Sequence, residues 1–147
     1  MRRLDGGVKG DPLPASDHVL RHCRTGDPKV EADGSLSGVF PSAFEPDADG
    51  ISVTWIEFFE GSPVEQLVAA RVAMNCGRRL RESNRLAKLN VRAIRGLGKS
   101  VGVFHDPIDE PEKENNGHSL ITGIGRDDDD LLNRLTKCVS GLELAKI

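Results

Sequence analysis

The chain has no tyrosine, one tryptophan and five phenylalanines, so aromatics make up only 4% of its 147 residues. Between Arg71 and Lys99 there is no aromatic residue at all. Single-stranded nucleic acids are held by stacking on aromatic side chains, and this stretch offers no such platform. Cysteine is equally scarce. Cys23, Cys76 and Cys138 are odd in number, widely spaced and free of any CxxC pair. That excludes a disulfide framework and a zinc ribbon and fits a reducing, cytoplasmic setting. No run reaches the roughly 18 apolar residues of a transmembrane helix. The charged start Met1-Arg2-Arg3-Leu4-Asp5-Gly6-Gly7 has no apolar segment behind it, so it does not read as a signal peptide. No segment recurs at a period of roughly 20–50 residues, which excludes solenoids and propellers.

What is present is an ordinary globular composition, 37% hydrophobic and 29% charged, unlike collagen, a coiled coil or a disordered chain. The length suits one domain that folds without disulfides or metal. Residues 1–16, rich in glycine and proline, read as a mobile N-terminal tail, and 17–147 as a single domain. Ser16 or Asp17 could cap a short helical turn reaching Arg24, with a strand as the alternative. Asp33-Gly34 and Asp49-Gly50 supply turn chemistry for strands at Leu36–Phe40 and Ile51–Ile56. Ser62-Pro63-Val64-Glu65 combines a hydroxyl cap, a first-position proline and a third-position glutamate. The helix it starts is expected to run to about Arg85, with Gly77 as its weak point. Leu86–Ile94, Val101–Phe104 and His118–Ile124 read as strands, the first two joined through the turn Arg95–Lys99. Four aspartates and then Leu131, Leu135, Val139 and Leu142 predict a final helix. The expected fold is α+β: a mixed or largely antiparallel sheet of about five strands covered by two main helices.

Several motifs have a functional and a structural reading. Ala93–Ser100 matches a relaxed phosphate-loop pattern, but that chemistry needs a following helix, and Val101–Pro107 predicts a strand. His18, His22 and Cys23 make an incomplete ligand set for a metal. Asp127–Asp130 are consecutive, so they suit a helix N-terminus better than an ion. No metal and no cofactor is expected. His105 and His118 flank one polar loop, and as partners in a hairpin they could serve as acid and base in phosphodiester chemistry. Asp106 or Ser119 could orient one of them.

Charge layout is the most informative feature. The net charge of −3 conceals a segment, Arg71–Lys99, with nine basic residues and one acid, Glu82. It carries +8, and the other 118 residues carry −11. On a continuous helix Arg78, Arg81, Arg85 and Lys88 would form one stripe, a footprint for an acidic protein partner or a nucleic-acid backbone. The leading expectation is therefore a small soluble binding or accessory protein, such as an immunity or regulatory partner, acting through that basic helix face. The alternative is a metal-independent histidine enzyme acting on RNA or nucleotide phosphodiesters through His105 and His118. Self-association through a sheet edge is a third.

Overall fold

The computed structural model describes residues 10–146. Its centre is a six-stranded, wholly antiparallel sheet: β1 (His18–Cys23), β4 (Ile51–Trp55), β5 (Arg85–Asn90), β6 (Gly102–His105), β7 (His118–Thr122) and β8 (Val139–Leu144), in the order β6-β7-β4-β1-β5-β8. A separate hairpin of β2 (Pro28–Val30) and β3 (Leu36–Val39) stands beside it. Three helices complete the described chain, α1 (Pro63–Gly77), α2 (Val91–Arg95) and α3 (Asp129–Thr136), with a single 3₁₀ turn at Pro41–Phe44. The protein thus has an α+β fold, its main sheet one strand larger than the five or so expected, with the β2–β3 hairpin besides and three helices where two main ones are expected. No helix among the described residues is long and apolar enough to cross a membrane.

Local chemistry explains most elements. Glycine at 34 and 50 takes positive φ, and a side chain at Gly50 would meet the Ile121 carbonyl oxygen at 2.6 Å, so only glycine turns the chain into β4 there. The capping box is formed as read: Ser62 Oγ accepts from the Glu65 amide at 3.2 Å, and Glu65 Oε1 accepts from the Ser62 amide at 3.0 Å. Asp128 caps α3 by accepting from the Leu131 amide, and Asp130 pairs with Arg134 one turn on. The aspartate run works as a helix start.

One alternative is decided and four expectations are corrected. The segment from Asp17 to Arg24 holds a strand, β1, whose Val19 and Leu20 are completely buried between β4 and β5. α1 ends at Gly77, not near Arg85, and Arg78 is extended. Glycine weakens the last turn by about 1 kcal/mol, and Asn75 Oδ1 accepts from the Leu80 amide to turn the chain away. Leu86–Ile94 is a strand only to Asn90, whose side chain then caps α2. β5 and β6 are not a hairpin, because three strands, β7, β4 and β1, stand between them in the sheet. The last helix stops at Thr136, and Val139 and Leu142 belong to the edge strand β8. There a β-branched residue and the Ser140-Gly141 pair fit a strand better than another helical turn.

Residues 1–9 of the expected tail lie outside the described residues. The rest of that stretch packs onto β6: Pro12 bridges to Phe104, the Leu13 amide donates to Val103, and Leu13 is buried.

Candidate functional site: a cationic cleft

In an antiparallel pair, directly opposed residues share a face and successive residues alternate. His105 opposes Ser119, which opposes Val53 on the other side. His118, one residue earlier, therefore points to the opposite face, alongside Thr54. The hairpin does form, yet it separates the two histidines. His105 is 1% exposed and touches the Trp55 and Phe58 rings at 5.3 Å each. Its Nε2 meets the Asn116 carbonyl at 2.7 Å, and since a carbonyl only accepts, Nε2 carries the hydrogen. His105 is a core residue, and the paired acid–base reading of His105 with His118 fails on this geometry.

The other face holds a cleft of about 190 Å³ between the sheet, the C-terminal end of α1 and the loop 106–117. Its apolar wall includes Ala73, Met74, Leu80 and Ile108, and its polar wall includes Arg21, His22, Arg78, Lys113, Asn115 and His118. The loop is ordered over it by a two-way backbone bridge between Ile108 and Asn115. Asn115 also donates to Thr54 Oγ1 at 3.0 Å. Among the described residues no carboxylate lines this cleft.

Arg21 and Arg78 are held by neutral groups. β1 stays with β5 as far as Cys23 but pairs with β4 only at Val19 and Leu20. Into the opening Arg21 sends its guanidinium, donating to the carbonyls of Ala43 at 2.7 Å, Ser52 at 2.9 Å and Glu45 at 3.4 Å. Burial first, and the Arg78 charge second, hold its pKa below the ordinary arginine value. Arg78 Nη1 lies 2.7 Å from His22 Nδ1. A guanidinium can only donate, so Nδ1 is unprotonated and the ring is neutral. Nε2–H then donates to Asn84 Oδ1 at 3.1 Å. Burial pushes the His22 pKa down, with Arg78 and Arg21 adding to it against the Asn84 contact. His118 Nδ1 donates to the Asp106 carbonyl at 2.7 Å and lies 3.4 Å from its carboxylate, which leaves Nε2 as the ring nitrogen not engaged by Asp106.

The basic stripe read from the sequence is dispersed by the early end of α1. Arg78 follows the helix and enters the cleft, while Arg81 lies in the exposed turn after it. Arg85 and Lys88 are on β5, where Arg85 donates to the Glu82 and Asn84 carbonyls. The charge itself is not neutralised: among the described residues none of the nine cations from Arg71 to Lys99 pairs with a carboxylate of the chain. Sequence reasoning missed Arg21 and Lys113. Arg21 could have been noticed as a charge set between the apolar Leu20 and Cys23 once that segment is read as a strand; Lys113 had no signal.

The remaining motifs take structural roles. His18 Nδ1 meets Glu57 Oε2 at 2.6 Å, apart from His22. No group of three or more His, Cys, Asp or Glu side chains able to hold a metal occurs among the described residues. Ala93–Ser100 runs from α2 toward β6, the reverse of the strand–loop–helix order that phosphate loops require. Comparison with known proteins finds no matching family model, no matching curated protein and no matching solved structure.

Proposed function

We propose that this protein binds a phosphate-bearing ligand of nucleotide chemistry, with its phosphate in the Arg21–His22–Arg78 cleft. The observation that carries the reading is a cleft lined by three permanent cations with no carboxylate among them. Burial works against the Arg21 charge more than Asp27 and Asp47 support it, while Arg78 and Lys113 are exposed, and an anion that enters relieves the Arg21 cost and meets all three. Arginine presents forked donors to phosphate oxygens, and Arg78 is committed only to a neutral imidazole. The apolar wall of Ala73, Met74, Leu80 and Ile108 gives a base or similar flat body a dry surface. The basic segment thus supplies a pocket through Arg78 rather than a helix face. The three free thiols, with burial pushing Cys23 up to about 11, fit work in a reducing compartment such as the cytoplasm.

Calorimetric titration with AMP and with inorganic phosphate tests the proposal. AMP binding that weakens with salt and falls at least about tenfold in Arg78→Ala supports it. Binding that is absent, or unchanged in Arg78→Ala, overturns it.

A second reading, phosphodiester cleavage, is favoured by one observation, the orientation of His118 by Asp106 at the cleft. His118 alone, without His105, would then exchange the proton. Turnover of a cyclic or dinucleoside phosphate that vanishes in His118→Ala while binding persists supports it. Binding without turnover removes it.

A further inference from the structure

α1 covers the sheet with one side and leaves the other bare. Val64, Val68 and Val72, spaced one turn apart, are 72%, 39% and 63% exposed, an apolar ridge along the helix. Beside its second half runs a groove of about 300 Å³ between α1 and the end of β8, floored by Val68, Val72, Leu80 and Ala145. Arg71, Arg79 and Lys146 border it, and no acid does among the described residues. Leu144, 53% exposed, continues the apolar surface, tied to the helix by Arg71 Nε donating to its carbonyl at 2.8 Å. Arg79 and Lys146 make no hydrogen bond or ion pair among the described residues.

We infer that this face docks an acidic, amphipathic helical segment of another protein. Its aliphatic side chains would cover the valine ridge, and its carboxylates would meet Arg71, Arg79 and Lys146. The charge pattern selects the occupant. A second copy packed about a two-fold axis would set these cations against themselves, because such an interface uses the same patch on both subunits. A nucleic-acid backbone would answer the cations but leave the valines wet. An apolar ridge beside a groove bordered by one sign of charge is the pattern that helix-in-groove recognition fits.

The surface is separate from the nucleotide cleft, since only Leu80 lines both. The test titrates the whole chain with a fluorescent helical peptide bearing leucine at every fourth position and glutamate alongside. Two control peptides replace the glutamates by lysine or the leucines by serine. Binding of the first peptide alone is expected, weakened about tenfold by Arg79→Glu and abolished by Val72→Asp, with AMP binding unchanged in both variants. Failure of the acidic peptide to bind overturns the inference, as does equal binding of the lysine peptide. Self-association that Val72→Asp disrupts would assign the face to a second copy instead. Competition by duplex DNA that depends on Arg79 would assign it to nucleic acid. Either result overturns the proposal without touching the cleft.

Discussion

His118 and Ser119 are neighbours in one strand, yet the two faces of the sheet that they enter obey different rules. On the Ser119 side, His105 is enclosed by Trp55 and Phe58, and its Nε2–H is spent on a backbone carbonyl. No buried side-chain polar atom among the described residues there lacks a partner. On the His118 side, Arg21, Arg78 and Lys113 converge without a carboxylate among the lining residues. The first face is closed, whereas the second gathers three cations that form no ion pair among the described residues. Buried polarity that is internally satisfied signals structure, and convergent cations left unpaired signal a ligand.

Substitutions separate the two faces most sharply where burial is deepest. His105→Ala leaves a cavity beside two aromatic rings and strips a donor from the Asn116 carbonyl. Urea denaturation should show a loss of about 3 kcal/mol, with AMP affinity unchanged in the folded fraction. A loss below about 1 kcal/mol would mean that the aromatic face is not a closed core. Lys113→Ala, on the cleft face, should do the reverse: AMP affinity falls about fivefold while the urea midpoint stays in place.

His22 gives a smaller, pH-dependent effect. Its pKa in the folded protein lies below the ordinary 6.5, chiefly through burial, so the unfolded chain takes up the proton first. The stability this contributes is fully present above about pH 6.5 and is lost as the pH falls from there through the folded value. Urea midpoints measured across that range should decline with acid, and His22→Gln should flatten the decline; an unchanged slope would remove His22 as its source. The smallest effect is expected from Arg81→Ala. Its side chain is exposed and away from the cleft, so AMP affinity should change by less than about twofold. A larger drop would restore the original stripe as the binding surface.

Local signals were read best where one short motif decides the outcome. The capping box at Ser62, the turns at Gly34 and Gly50 and the aspartate cap of α3 need only a few neighbouring residues. The stripe of Arg78, Arg81, Arg85 and Lys88 failed because periodicity assumed a helix that Gly77 and the Asn75–Leu80 contact end early. Val139–Leu144 failed for a related reason. Apolar spacing suits a helix or a strand, and pairing with β5 chose the strand. His105 and His118 were rightly placed at the two ends of a hairpin, yet register gave them opposite faces.

By itself the sequence determined that the chain makes an α+β domain and that its positive charge is gathered into one segment. Both follow from local propensity and from counting charges, which need no knowledge of distant contacts. Only the tertiary structure decided which cations meet. Arg21 and Arg78 come together because β1 parts from β4 beyond Leu20 and α1 ends above that opening. Strand order and register are set by contacts far apart in the chain, and no local pattern encodes them.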